Sequence, residues 1–318
     1  DKGYSCLDDS HRKTGKSYKG NTKEKRMNIL TFDIEEWFLE QKLYGGRPQR
    51  FQQIDDVFAR VLEALDERAV KGTFFCIGRM ATDYPQVVRQ IAEHGHEVGC
   101  HSHEHTWLNK MDGHSLREDT MTAIKALEDV AGQQVVSYRA PAFSITHENP
   151  WAVEVLAECG IKNDASIFPT SRAYGGYQHF PQDRPCTIGY HGATLREFPI
   201  SLATVFGKRI AYSGGGYFRL LPYWFVSRML DRSNYNICYF HLVDLVSGKI
   251  KLKSRKEYED YFHEPGTLKN RLVRFAKANA TMGDSYHKLV KLLSTHSFVS
   301  MAEAVRQTDW SKTSTIEL

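Results

Sequence analysis

The sequence lacks several features that would place it in a special class of protein. No apolar run approaches the roughly 20 residues that a helix needs to span a bilayer, and no apolar core of a signal peptide is visible. No internal repeat or low-complexity segment is present. The six cysteines include no CxxC pair, which excludes the paired-cysteine metal and redox motifs. We therefore expect a globular protein whose cysteines are reduced thiols.

An excess of charge of one sign is also missing from most of the chain. The formal net charge is +4, and residues 1–26, with eight Lys/Arg against four Asp/Glu, account for all of it. The remainder is neutral overall and gives no reason to expect a nucleic-acid partner. We interpret residues 1–26 as a basic tail, a tag remnant or an upstream extension. We expect a cytoplasmic protein; association with the inner membrane surface and export of a processed chain are the alternatives.

What is present, from Met27 onward, is an alternation of short apolar strands and amphipathic helices. The first strand is predicted at residues 28–33 and the next helix at about residues 52–68. Six or seven such units follow one another without a linker, which favours a parallel α/β barrel over an open sheet. We predict a single barrel domain over residues 27–318.

The stretch from residue 165 to residue 215 breaks this rhythm, because it is rich in glycine, proline, tyrosine and serine. It contains one predicted strand, near residues 195–200, and loops of this length are usually functional in compact domains. The rest of the chain is predicted to hold a helix at residues 222–231, a strand at 236–240, helices around 267–279 and 285–293, and a last strand at 298–301.

The strongest signal is HGHEVGCHSHEHTWL, residues 94–108. His101 and His105 stand at i and i+4, which points both imidazoles the same way on one helical turn or in a tight loop. Two neutral imidazoles and a carboxylate form a common ligand set of catalytic zinc sites. The pair follows a predicted buried strand at Glu97–Cys100, and α/β barrels hold their chemistry at the carboxyl ends of strands.

Carboxylates follow the first predicted strand in TFDIEEWF, residues 31–38. Three acids beside an apolar strand are costly to bury unless they are paired or bind a metal. Asp33 and Glu35 face the same side of an extended chain, so one can bind an ion while the other takes a proton from water. Arg139, in RAPAF, can fork onto Asp33 and keep it ionised.

Two further clusters, DAS and FH, also follow predicted strands. Asp164 can hold the imidazole of His241, which then donates a proton to a leaving group. Each cluster alone has an ordinary structural explanation, such as a turn-forming acid or a buried histidine. Their joint appearance at successive strand ends favours one shared site.

Taken in order, TFDIEEWF, HSHEHTWL, RAPAF, DAS and FH resemble the five motifs of the polysaccharide deacetylases, the NodB-homology enzymes of carbohydrate esterase family four. They span about residues 27–241, and residues 242–318 form a C-terminal extension. The resemblance implies a deformed (β/α)7-type barrel that removes N- or O-acetyl groups from sugars, oligosaccharides or polysaccharides. It also implies a divalent metal, with Zn²⁺ as the first expectation and Co²⁺, Ni²⁺, Mn²⁺ or Fe²⁺ as alternatives.

The resemblance also implies roles for individual residues, with Asp33 as the base. Ile34 stands where the family has a second adjacent aspartate, so the metal carboxylate is assigned to Glu35, with Glu36 in reserve. Phe143 stands where the family more often has Tyr, and its backbone N–H is expected to stabilise an oxyanion. The remaining roles are metal binding by His101 and His105, orientation of the base by Arg139, proton donation by His241 and support of that histidine by Asp164.

A later segment, GGGYFRLLPYW at residues 214–224, is similar to a subgroup found in exopolysaccharide and capsule biosynthesis, where a longer C-terminal region follows the core. Tyr217, Phe218 and Trp224 are candidates to stack on sugar rings, and Arg219 is a candidate to bind a phosphate or carboxylate. Two alternatives stay open. One is a metal-independent amidohydrolase of the same fold, and the other is a catalytically inactive carbohydrate-binding relative.

Overall fold

A computed structural model describes residues 26–170, 175–246, 251–262, 264–280 and 284–318. Residues 1–25, most of the predicted tail, lie outside the described residues. The strands are β1 (Met27–Ile34), β2 (Thr73–Cys76), β3 (Glu97–Cys100), β4 (Ser137–Tyr138), β5 (Asn163–Asp164), β6 (Cys186–Tyr190), β7 (Ala193–Glu197), β8 (Leu202–Val205), β9 (Lys208–Ala211), β10 (Tyr235–His241) and β11 (Thr315–Glu317).

One sheet joins most of these strands, in the order β10-β1-β2-β3-β4-β5-β7-β6-β11. Every neighbouring pair in it is parallel except β6 and β7, which confirms the predicted α/β fold with parallel strands. Within the described ranges, no hydrogen bonds join the edge strands β10 and β11. The sheet therefore has two edges, which fits a deformed barrel better than a regular closed one.

Helices follow most of the strands, and a helical C-terminal region completes the fold. They are α1 (Glu36–Tyr44), α2 (Pro48–Asp66), α3 (Gly78–Asp83), α4 (Pro85–Glu93), α5 (Gly113–Ala131), α6 (Ala152–Glu158), α7 (Gly215–Leu220), α8 (Tyr223–Arg232), α9 (Leu242–Leu245), α10 (Arg255–Phe262), α11 (Leu268–Asn279), α12 (Ser285–Thr295) and α13 (Met301–Gln307). None of the helices in the described ranges has both the length and the apolar character needed to cross a bilayer.

Local sequence explains how several helices begin and end. The α2 helix buries the apolar face that its spacing predicts, including Ile54, Phe58 and Leu65. The α5 helix begins with a capping box, in which the Asp112 carboxylate accepts the N–H of Ser115, and it ends at a left-handed Gly132. The cysteines of the described ranges are unpaired and buried, as expected for small apolar side chains.

Residues 165–215 contain more strands than predicted, because β6 to β9 form two hairpins where we expected one strand. Each hairpin turns through a residue followed by glycine, with both residues in the left-handed region: His191 and Gly192 at φ of 49° and 85°, then Phe206 and Gly207 at 48° and 74°. Such two-residue turns match the twist of paired strands. The dipeptides His-Gly and Phe-Gly were the sequence signal for these hairpins.

The predicted strand at residues 298–301 is wrong, and the strand β11 was not predicted. Val299 forms one isolated parallel bridge with Ile29, and helix α13 begins at Met301. A short apolar run cannot by itself distinguish a strand from a segment that docks against a sheet.

A hydrogen-bond network at the amino ends of the strands holds helix α13. The two carboxylate oxygens of Glu97 accept hydrogen bonds from the hydroxyls of Ser137 and Thr73, each at 2.6 Å, and one also accepts the Ala302 N–H at 2.7 Å. The Thr73 hydroxyl oxygen in turn accepts the Met301 N–H at 2.7 Å. A negative charge at the first turn of a helix is favourable, so Glu97 anchors helix α13 to the strands β2, β3 and β4.

We expect Glu97→Ala to lower the free energy of unfolding by about 3 kcal/mol, because three donors lose a charged acceptor. The measurement is guanidinium unfolding followed by circular dichroism. The control is Glu93→Ala, an exposed acid on α4 that should change stability by less than about 0.5 kcal/mol. Equal losses in the two variants would remove Glu97 from this structural role.

Candidate metal and catalytic site

The carboxyl ends of the parallel strands bring four of the five sequence motifs to one place. In the β1/β10 register Asp33 lies opposite His241, and His101 directly follows β3. Arg139 follows β4, the neighbour of β3. The side chains that meet at this edge are Asp33, Glu35, His101, His105, Arg139 and His241.

Glu35, His101 and His105 form a group that can hold a cation. Their candidate ligand atoms all lie within 4.8 Å of one another. The Glu35 Oε2 atom is 2.6 Å from His105 Nε2 and 3.7 Å from His101 Nε2. Glu35 and His101 are buried and His105 is nearly so. One carboxylate and two imidazoles form the ligand set predicted for this chain.

Two features show that these residues fit a divalent metal. Among the described residues, the buried Glu35 Oε2 atom has no hydrogen bond of acceptable geometry, although His105 Nε2 lies 2.6 Å away, so these atoms converge as ligands of a shared ion would. The Nδ1 atom of His101 lies 2.7 Å from the carbonyl oxygen of Arg139. If Nδ1 donates its proton there, Nε2 keeps a free lone pair, the arrangement typical of metal-binding histidines.

The protonation states of the group also suit a cation. Burial lowers the pKa of His101 to about 4, which leaves the imidazole neutral at neutral pH. Burial alone would raise the pKa of Glu35, but the imidazoles of His105, His241 and His101 outweigh it and hold that pKa far below its usual range. The group therefore offers an ionised carboxylate from Glu35 and a neutral imidazole from His101.

The histidine pair lies in a tight loop, the second of the two conformations that the i, i+4 spacing allowed. Ser102 and His105 adopt the left-handed conformation, with φ of 69° and 60°. Asp119 of α5 holds the loop, since its carboxylate accepts the Ser102 hydroxyl at 3.1 Å and the His103 N–H at 2.9 Å. Left-handed residues other than glycine cost of order 1 kcal/mol each and cluster at functional sites.

Asp33 is paired with Arg139 in the protein interior. Arg139 Nη1 donates to Asp33 Oδ1 and to the Thr31 hydroxyl, both at 2.8 Å, and the guanidinium lies 4.3 Å from the ring centroid of Phe75. The contact with Asp33 uses one nitrogen rather than the expected fork. Burial would raise the pKa of Asp33, but Arg139, His101 and His241 outweigh it and lower the pKa, so Asp33 is an ionised acceptor.

The structure corrects the expected partner of His241. Its Nδ1 atom lies 3.4 Å from Oδ2 of Asp244, three residues on, at the start of α9. Asp164 instead accepts the hydroxyl of Ser166, two residues on, at 2.5 Å. A carboxylate that bonds its own turn is satisfied locally, and this competes with a longer reach to His241.

His241 faces both carboxylates with its other nitrogen. Its Nε2 atom is 3.8 Å from Asp33 Oδ2 and 3.5 Å from Glu35 Oε1. Burial disfavours the charged imidazolium, but the hydrogen bond that it donates to Asp244 and the charges of Glu35 and Asp33 outweigh this effect and raise the pKa of His241 to about 10. His241 therefore carries a proton that it can donate.

Asp164 belongs to a buried pair of carboxyl groups. It lies opposite Glu197 in the β5/β7 register. Burial raises the pKa of both carboxyls, and Asp164 adds to the effect on Glu197. Two adjacent acids of this kind share a proton, because burying two neighbouring negative charges is unfavourable.

The reserve ligand Glu36 does not belong to the cation-binding group. Its carboxylate accepts the N–H of Glu35 at 3.2 Å and the N–H of Val243 at 3.3 Å, so it connects α1 to α9. Burial, with a contribution from Glu35, raises the pKa of Glu36 to about 7. Of the two acids offered for the metal, only Glu35 lies within reach of the histidines.

The predicted oxyanion donor is also corrected. The N–H of Phe143 donates to the carbonyl oxygen of Ala140 at 3.0 Å, because a 3₁₀ turn over Pro141–Phe143 follows Arg139. In the part of the chain that the structure describes, no acceptor is found for the N–H of Ala142, whose φ is 56°. Ala142 therefore replaces Phe143 as the candidate donor from this motif.

The candidate sugar-binding aromatics differ in exposure. Tyr217 and Trp224 are exposed, on α7 and α8. Phe218 is fully buried and packs edge-on against Phe240 at 4.9 Å between ring centroids. Phe218 is therefore a core residue, because its ring has no access to a ligand in solvent.

Arg219 lies close to the candidate catalytic residues. Its Nη1 atom is 4.0 Å from Oδ1 of Asp244, the acid that holds His241. An arginine at this distance from the site can meet an anionic group on a bound molecule.

Two functional candidates were not among the residues that the sequence predicted. For Asp244 a signal existed, since an acid three residues after a strand-terminal residue is typical of a helix cap. Tyr261 of α10 had no such signal. Burial raises the pKa of its hydroxyl, and so do the charges of Glu35, Glu36 and Asp244, so the C-terminal region reaches the site.

Comparison with known families and proteins agrees with this geometry. Residues 20–163 match the family model described as polysaccharide deacetylase, and residues 165–306 match a domain of unknown function, DUF3473. A chitooligosaccharide deacetylase from Azorhizobium caulinodans is 32% identical over 112 residues, which cover 35% of this chain and 49% of the relative. A peptidoglycan-N-acetylglucosamine deacetylase from Bacillus cereus is 31% identical over 96 residues, covering 30% of this chain and 35% of the relative.

These matches to curated relatives are partial, since the chain spans about half of their length or less. The fold similarity extends further. A crystal structure from Mycobacterium smegmatis, assigned to the polysaccharide deacetylases, superposes with a TM-score of 0.61 at 20% identity and covers 93% of this chain and 94% of that one. At this identity the similarity establishes a shared fold.

We expect Glu35→Gln to weaken zinc binding by at least about 100-fold, whereas Glu36→Gln should change it by less than about threefold, because only Glu35 contributes a ligand atom. The measurement is equilibrium dialysis of the purified chain against buffered Zn²⁺, with metal determined by mass spectrometry. Loss of zinc in Glu36→Gln together with retention in Glu35→Gln would reverse the assignment.

Proposed function

We propose that this chain is a metal-dependent hydrolase that removes the acetyl group from an N-acetylated sugar in an oligosaccharide or polysaccharide, because residues 20–163 match the family model described as polysaccharide deacetylase. The single observation that carries the proposal is the position of the group Glu35, His101 and His105 beside Asp33 and His241. One site thus offers a cation-binding group, an ionised acceptor and a protonated donor.

Asp33 acts as the general base. Its pKa is low, so it is ionised at neutral pH, and Arg139 fixes its orientation through Oδ1. This leaves Oδ2 to accept the proton of a water molecule as that water attacks the acetyl carbonyl carbon. A divalent cation held by Glu35, His101 and His105, with Zn²⁺ as the first candidate, would polarise the carbonyl and acidify the water.

His241 acts as the general acid. Cleavage of an amide needs a proton on the departing nitrogen, because an amine anion is a very poor leaving group. Asp244 keeps the imidazole protonated and oriented, and Nε2 points toward the carboxylates that surround the reacting group. Water first adds to the carbonyl carbon and forms the new C–O bond; the tetrahedral species then expels the nitrogen that His241 protonates, so the C–N bond breaks and the products are acetate and a free amino sugar.

Backbone and rim groups complete the scheme. The Ala142 N–H is placed to stabilise the negative charge that develops on the acetyl oxygen, since it follows Arg139 at the same edge and has no acceptor among the described residues. Arg219, Tyr217 and Trp224 are the candidates for contacts with the rest of the glycan. We assign the chain to exopolysaccharide or capsule biosynthesis on the motif at residues 214–224.

The expected activity is acetate release from oligomers of N-acetylglucosamine. Removal of metal should abolish it and Zn²⁺ should restore it. Asp33→Asn should lower kcat by about 10³, because the general base is lost. Asp129→Asn, an exposed acid on α5, is the matched control and should leave kcat unchanged.

Two other outcomes of this experiment would contradict the proposal. Turnover that persists after chelation would favour a metal-independent amidohydrolase. Binding of acetylated oligosaccharides without acetate release, in zinc-loaded protein, would favour an inactive carbohydrate-binding relative.

A second prediction compares Asp244→Asn with Asp164→Asn. The charge of Asp244 raises the pKa of His241, so its removal lowers that pKa. The protonated acid is then lost at lower pH, and the alkaline limb of the kcat profile should move toward neutrality. Asp164→Asn should leave this limb in place, because Asp164 binds Ser166 instead. A shifted limb in Asp164→Asn alone would return the supporting role to that residue.

A further inference from the structure

Helix α11 carries apolar side chains on the face that contacts water. Leu268, Leu272 and Val273 are 59%, 47% and 44% exposed, and Ala276 is also exposed. Leu268, Leu272 and Ala276 are spaced by four residues, so they form one stripe along the helix. Isolated exposed leucines are ordinary, but a continuous apolar stripe indicates a surface that another molecule covers.

The opposite face of the helix explains why this orientation is stable. Arg271 Nη1 donates to the carbonyl oxygen of Lys253 at 3.2 Å, and Arg274 lies 3.6 Å from Glu264. The polar side chains thus fix α11 to the segment before it and turn the leucines outward. That segment adds a further exposed apolar residue, Leu252, next to the carbonyl that Arg271 binds.

Positive charge is concentrated in the segment of the chain that carries this stripe. Helix α11 contains four Lys/Arg and no Asp/Glu, and residues 251–280 contain eight Lys/Arg against four Asp/Glu. Residues 27–318 as a whole are neutral, so the remainder of the folded chain carries the balancing negative charge. Lys269 is exposed, and helical spacing places it between the Leu268–Leu272–Ala276 stripe and Val273.

We propose that the exposed face of α11 docks on the surface of an anionic lipid bilayer. Leu268, Leu272 and Val273 would enter the boundary between headgroups and acyl chains, and exposed lysines such as Lys269 and Lys256 would meet lipid phosphates, the pattern of helices that lie in a membrane interface. A second copy of the chain fits this face poorly, because a symmetric contact would bring Lys269 and its neighbours against identical cations. The inference rests on α11 and the segment before it, and it is independent of the proposed activity.

The test is sedimentation of the full chain with phosphatidylcholine vesicles that contain or lack phosphatidylglycerol. The chain should bind the anionic vesicles and not the neutral ones, and high salt should weaken binding. The double variant Leu268→Ser with Leu272→Ser should lower the partition coefficient by about tenfold or more, because it removes apolar area. Lys269→Glu should also lower it, because the variant loses electrostatic attraction to anionic lipids while it keeps the leucines. Phe206→Ser is the matched control, since Phe206 is a fully exposed apolar residue on the β8–β9 turn; it should bind as the parent chain does.

Three results would overturn the proposal. The first is absence of binding by the parent chain to anionic vesicles. The second is equal binding by the parent, the double serine variant and Lys269→Glu, each shown to be folded by its thermal unfolding. The third is concentration-dependent self-association that the double variant abolishes while vesicle binding persists, which would assign the stripe to a contact between copies.

Discussion

The buried guanidinium of Arg139 is the constraint on which the rest of the site depends. A full charge in a protein interior is costly unless polar groups match it, and the partners of Arg139 come from several strands of the sheet, although its Nη2 atom has no hydrogen-bond partner among the described residues. On β1, the Asp33 carboxylate and the Thr31 hydroxyl accept hydrogen bonds from Arg139, and the carbonyl oxygen of Ala165, directly after β5, accepts another at 3.2 Å. The Phe75 ring of β2 covers the face of the guanidinium. The backbone carbonyl of Arg139 accepts from His101 after β3. One residue thereby aligns the proposed base with an imidazole of the proposed cation-binding group.

The parts of this site that could be predicted are those that depend on strand ends. Parallel strands place their carboxyl ends together, so Asp33, His101 and His241 could be assigned to one edge from sequence spacing alone. Period-two geometry also selected Glu35, which lies with the histidines, whereas Glu36 turns to backbone donors. The sequence could not predict the contacts that depend on the local turn after each strand. The turn after Asp164 supplies Ser166, the turn after Arg139 occupies the Phe143 N–H, and the first turn of α9 supplies Asp244.

The region that matches a domain of unknown function is integrated with the first half of the chain. Helix α13 is fastened to Glu97 at the amino ends of the strands, while Tyr261 of α10 lies within electrostatic reach of Glu35 at the carboxyl ends. The sheet order shows the same integration, since β10 is hydrogen-bonded to β1 and contributes His241. The two matched segments therefore complete one sheet and one site.

The left-handed residues Ser102 and His105 have a consequence for selectivity among ions. Their backbone conformation is set during folding and held by Asp119, so the imidazoles meet an arriving ion already in position. A rigid nitrogen-rich cradle favours small borderline ions that accept few ligands. Larger oxygen-seeking ions such as Ca²⁺ would gain little there, because two of the three candidate ligand atoms are nitrogens. For the proposed cation-binding group, discrimination against abundant alkaline-earth ions would then depend on the backbone of this loop as well as on the ligating side chains.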